Sequence, residues 1–148
     1  MHEILEIKEN TNMNLIVSIF GFTPIFTSKR NLVKNYLKTF NISDTSNLNY
    51  MEKEGNVYPI KDEFQGTTVY SSKILNATIE IPNLEKHNMD YVLINSFNIK
   101  NETILEVLKK INMINENNKE RISKEIDSLL DDKTDSGFMY KETIYKVK

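Results

Sequence analysis

Between Met13 and Phe40 the apolar periodicity changes character, and that change constrains the fold more than any other feature of the chain. Residues 13–20 are apolar on both faces and β-branched in the middle, which predicts a central strand. Gly21 and Pro24 break the run. Then Leu32, Val33, Tyr36, Leu37 and Phe40 recur at helical spacing and predict an amphipathic helix capped by Thr27 or Ser28. Lys29, Arg30, Lys34 and Lys38 fall in the same segment with no acid to balance them. A strand that feeds a turn and a positive helix start is one physical way to hold an anion, because the first amides of a helix lack internal partners.

Elsewhere the pattern alternates between hairpins and helices. Residues 3–9 predict a short strand and an N-terminal hairpin with the strand that follows. Residues 49–53 and 57–60 flank Glu54-Gly55-Asn56 and predict a second hairpin. Pro59 cannot donate to a ladder and places its strand at an edge. Residues 67–72 and the alternating Leu75, Ala77, Ile79 and Ile81 predict two more strands, the second stopped by Pro82. The two-sided YVLI run opens a strand over 91–99 that reads as central. Asn101 is read as the cap of a helix to about Ile114. Asn117 and Glu120 resemble a capping box for another helix reaching Leu130. Asp131 to Gly137 reads as a turn and Phe138 to Val147 as a closing strand.

With no regular βαβ alternation, these elements predict an α+β fold. It is a single mainly antiparallel sheet, packed by the N-terminal amphipathic helix and a C-terminal helical hairpin. At 148 residues one domain over 1–148 is expected.

Composition narrows the chemistry. There is no cysteine, which removes disulfides, thiolate catalysis and zinc–thiolate sites. The net charge of −2 provides no global field for nucleic acid or membrane. Of 19 basic residues only Arg30 and Arg121 are arginine, which disfavours nucleic acid as a partner. The N-terminus lacks signal-peptide character and no apolar run is long enough to span a membrane, so a cytoplasmic location in a bacterial cell is expected. The chain is rich in Asn, Ile and Lys, with Ala77 its one alanine. That bias indicates an A+T-rich gene of a low-G+C bacterium or of a phage living in one.

No catalytic constellation is visible. Gly21 stands alone, without a phosphate-loop spacing. Asp131 to Gly137 lacks the central carboxylates and terminal Glu of a calcium loop, since Thr143 takes the twelfth position and Glu142 stands one early. His2 is terminal, and His87 with Asp90 has no third ligand nearby in sequence. No catalytic residue, metal ligand or cofactor is therefore assigned, and the enzyme reading is disfavoured. The candidate contact residues are Phe22, Phe26, Ser28, Lys29, Arg30, Lys34 and Lys38. A protein partner is favoured, with a small anionic ligand as second choice. The functional expectation is a small binding protein, most concretely a phage or mobile-element inhibitor of a host defence component. The alternatives are an enzyme on a phosphate-bearing or nucleotide substrate, a virion or tail component, and a toxin-immunity protein.

Overall fold

Ile16, Val17, Ile19 and Phe20 make β1 (Ile16–Gly21), whose β-branched and aromatic side chains favour the extended chain. Ile19 and Phe20 are fully buried. Gly21 ends the strand at φ +108°, and a Cβ there would stand 2.0 Å from the Asn95 carbonyl oxygen. Only glycine permits that approach. The computed structural model describes residues 1–43, 46, 48–131 and 133–141. They form two compact units, one made of Met1–Gly21 with the chain from Lys73 onward, the other of Phe22–Ser72.

The first unit opens with α1 (His2–Glu9), where the sequence predicts a strand. The segment HEILEIKE is dominated by good helix formers, and Glu3 and Lys8 stand at the dipole ends that favour their charges. The expected N-terminal hairpin is therefore absent, and β1 pairs elsewhere. Its sheet has the order β7-β1-β6-β8, with β6 (Ile74–Asn76), β7 (Tyr91–Ile94) and β8 (Thr134–Asp135). β1 runs antiparallel to β6 but parallel to β7, and β6 runs parallel to β8, so this sheet is mixed rather than antiparallel.

Two further corrections follow from position. The alternation through Ile81 is strand only to Asn76; a 3₁₀ turn (Thr78–Glu80) then leads into α3 (Ile81–Lys86). Pro82 begins that helix instead of stopping a strand, since a first-turn residue needs no donor N–H. β7 covers only the start of 91–99 and lies at the sheet edge, not its centre. The helical hairpin is present as α4 (Asn101–Ile111) and α5 (Lys119–Ser128), joined by Lys110 and Glu125 at 2.6 Å. Asn101 lies inside α4 and Asn118 stands at the start of α5, so both predicted caps shift by one residue. Val107, Ile122 and Ile126 bury the inner faces of the two helices. The expected closing strand meets a turn at 137–140, and its part from 142 to 147 lies outside the described residues.

The second unit is a four-stranded antiparallel sheet of order β2-β5-β4-β3, with β2 (Pro24–Ser28), β3 (Asn49–Lys53), β4 (Asn56–Glu63) and β5 (Gly66–Tyr70). Thr27 and Ser28 belong to β2 and cap nothing. The helix α2 (Leu32–Thr39) begins after Asn31. The 49–53 and 56–63 hairpin forms as expected. β4 is an interior strand, yet Pro59 pairs only with Tyr50 of β3, because the β4–β5 ladder begins at Ile60. The proline thus meets the requirement that its nitrogen owes no ladder bond. Among the described residues no helix is long and apolar enough to cross a membrane.

Candidate functional site

Six of the seven candidate contact residues lie on the segment from Phe26 to Lys38 and the seventh, Phe22, opens the same unit. β2 places Phe26 and Ser28. A register shift between Pro24 and Phe26 turns the strand locally, and Phe26 ends up exposed. Phe22 is half-buried. Lys29 and Arg30 occupy the bend before α2, where the Ser28 hydroxyl accepts the Arg30 amide at 3.1 Å. Lys34 and Lys38 stand one turn apart on α2. All four cations are exposed, and they form no ion pair among the described residues. Lys8, Lys61, Lys110 and Lys119, by contrast, each hold a carboxylate within 2.8 Å.

The start of α2 was expected to offer free amides to an anion. Those amides are occupied. Asp62, reaching across from β4, accepts the Lys34 amide at 2.9 Å and the Val33 amide, more weakly, at 3.4 Å. The Thr67 hydroxyl accepts the Leu32 amide at 2.7 Å. That hydroxyl lies 2.5 Å from Asp62 and 2.7 Å from the Arg30 carbonyl, and gives its single proton to one of them. The anion seated on the helix dipole is thus the protein's own carboxylate. Sequence reading had no route to it, because Asp62 lies 29 residues from Val33. Two open hollows flank this cap. One of about 740 Å³ is lined by Ser28, Lys29, Glu63 and Gly66. The other, of about 580 Å³, is lined by Lys34, Leu37, Ile42 and Lys61.

The apolar stripe of α2 also departs from expectation. No residue of the helix is fully buried. Tyr36 is 58% exposed and Phe40 61%, their ring centroids 4.7 Å apart. They lie on the side of the helix away from Lys34 and Lys38, as a 3.6-residue period requires.

The histidine pairing considered from sequence does not form. Asp90 is engaged by Lys8 at 2.6 Å and by the Leu15 amide at 2.8 Å, and these two contacts, the lysine first, hold its carboxyl below the usual range. His87 ends α3 with Nδ1 2.9 Å from the Asn83 carbonyl, so that nitrogen donates. In the 131–137 segment Asp135 accepts the Gly137 amide at 2.9 Å, as a turn aspartate does, while Asp132, Glu142 and Thr143 lie outside the described residues. Among the described residues no group of three or more His, Asp or Glu is placed to hold a metal ion.

One polar cluster escaped the sequence reading. Asn76, at the end of β6, donates to Asp127 at 2.7 Å and to the Ser123 carbonyl at 3.1 Å, and accepts from the Thr78 hydroxyl at 2.6 Å. Thr134 of β8 donates to the same Asp127 oxygen at 2.5 Å. The cluster satisfies buried polar groups and ties β6, β8 and α5 together.

Comparison with known proteins gives these parts a context. The family model described as "Peptidase family U32" matches residues 1–147. A protein of Bacillus subtilis (strain 168) named "tRNA hydroxylation protein P2" is 30% identical over 165 aligned positions, covering 98% of this chain and 53% of the relative. The chain thus spans about half the length of the curated relative it matches. No solved structure matches significantly. These matches overturn the expectation of a phage or mobile-element inhibitor of host defence. The Asn, Ile and Lys bias reports the base composition of a gene, and it carried that expectation without any residue that contacts a partner. On a match that runs almost end to end, the chain belongs to peptidase family U32.

Proposed function

We propose that this chain serves tRNA hydroxylation, with the Phe22–Ser72 unit as an RNA-contacting surface. The observation that carries the reading is the row of Lys29, Arg30, Lys34 and Lys38, exposed and free of ion pairs among the described residues, in a relative of a tRNA hydroxylation protein. Phosphate contacts are made by such uncommitted cations, and their number sets the salt dependence of binding. The scarcity of arginine, which argued against nucleic acid, bears on bidentate base reading and leaves phosphate contact by lysine intact.

Fluorescence anisotropy with unmodified tRNA over a series of salt concentrations tests this. Four phosphate contacts give a log–log slope of about −3. The double variant Lys34→Glu/Lys38→Glu is expected to weaken binding at least tenfold and flatten that slope, with an unchanged circular dichroism spectrum. Binding that is absent in the wild type, or equally tight and equally salt-dependent in the double variant, overturns the reading.

A further inference from the structure

β7 is an edge that nothing in the described chain defends. Its four residues, Tyr91, Val92, Leu93 and Ile94, are all apolar or aromatic. Tyr91 and Leu93 point to one face of the sheet and Val92 and Ile94 to the other. Val92 is 42% exposed and Leu93 50%, so apolar surface is open on both faces. Ile16, which pairs with Tyr91 on the neighbouring strand, is exposed too. β7 runs parallel to β1. Parallel strands are normally covered on both faces, and free strand edges are normally blunted by charge, proline or brevity. The opposite edge of this sheet follows that rule, since β8 is two residues long, contains Asp135 and follows Lys133. β7 is twice as long and has no charge or proline within it, and Asp90 just before it is already paired with Lys8.

The relative supplies the missing term. Its length extends well beyond the 53% that this chain matches. We infer that the free edge of β7 takes a further strand, with its apolar cover, from polypeptide equivalent to the part of the Bacillus relative outside the match. The inference rests on the family match and the sheet topology, and is independent of any contact with RNA. The two-sided YVLI run is the composition of an interior strand, and the added strand makes it one.

Hydrogen exchange read by mass spectrometry tests the edge directly. In this chain alone the amides of 91–94 that face away from β1 should exchange quickly. In a chimaera in which this chain replaces the matched stretch of the Bacillus relative, their exchange should slow at least tenfold, and Leu93→Asp should abolish the slowing. The segment aligned with Tyr91–Ile94 in the unaltered relative provides the same reading should the chimaera not fold, and is expected to be equally slow. Fast exchange of that segment in the relative, or equal rates in chimaera and chain, overturns the inference. So does slow exchange in the chain alone, whether independent of concentration or rising with it, the latter assigning the edge to a second copy.

Discussion

The two units use their apolar residues differently. In the unit of Met1–Gly21 and the chain from Lys73, Phe20, Ile19, Leu84, Ile122 and Ile126 are packed inside at 2% exposure or less, while Tyr91, Phe138 and Tyr140 stand exposed at its surface. In Phe22–Ser72 no apolar side chain among the described residues is buried as deeply. Ile60, Val69 and Tyr70 form a thin buried layer, while Phe26, Tyr36, Phe40, Tyr50 and Phe64 are turned outward. The first unit buries the deeper apolar core, and the second depends more on ladder hydrogen bonds and on polar anchors such as Asp62 and Thr67.

The largest effect that sharpens this contrast is a cavity. Phe20→Ala should cost about 3–5 kcal/mol, while Tyr36→Ala, at an exposed site, should stay within about 0.5 kcal/mol. Urea unfolding of the two variants checks it, and similar losses would break the distinction between scaffold and surface.

A smaller effect lies at the α2 cap. Asp62→Ala removes the acceptor for two helix amides and should destabilise its unit by about 1–2 kcal/mol, with Asp62→Asn recovering part of it. Exchange of the Val33 and Lys34 amides should rise with the loss. Unchanged exchange would mean the cap is not what holds the helix start.

The smallest is a titration in the first unit. Partial burial, and then the hydrogen bond and charge of Glu80, push the Tyr140 hydroxyl up to about 12. A folded-state value raised above the ordinary 10 makes the neutral phenol the favoured form. Its contribution is fully present below pH 10 and is lost as pH rises from 10 towards 12. Absorbance at 295 nm should show this tyrosine ionising after ordinary ones, and Glu80→Gln should bring it earlier.

What the sequence disclosed follows the range of the interaction. β1 was legible because a two-sided β-branched run describes burial on both faces, and the β3–β4 hairpin because Glu54-Gly55-Asn56 is local turn chemistry. α4 and α5 were legible from Asn101 and from Asn117 of the Asn117–Glu120 box, which fall within one residue of their caps, although in α4 it is Val107 that is buried. α1 was misread because Ile4, Leu5 and Ile7 suit a strand as well as a helix in so short a segment. Pro82 was misread because a proline after an alternating run marks a boundary without saying what begins there. The YVLI run of β7 reads as interior by composition, but among the described residues β7 lies at the sheet edge, because composition records apolarity and not which strand pairs beside it. At the candidate site the cations were visible one by one. The Asp62–Thr67 cap that occupies the helix start was not, since it depends on strands that meet only in the folded chain.

The pairing of Gly21 with Leu75 has a consequence for how the chain is connected. β1 and β6 are the two arms of an antiparallel hairpin, and everything from Phe22 to Ser72 occupies the place of its turn. That stretch is clasped at its ends: the Thr23 amide donates to the Ser71 hydroxyl at 3.0 Å, and the Ser71 amide to the Thr23 carbonyl at 2.8 Å. A loop whose ends are already clasped adds little closure entropy to the hairpin that carries it, because the cost grows only with the logarithm of length. Between Gly21 and Lys73 a whole unit is thus carried where a hairpin turn would stand, while the strands on either side keep their pairing.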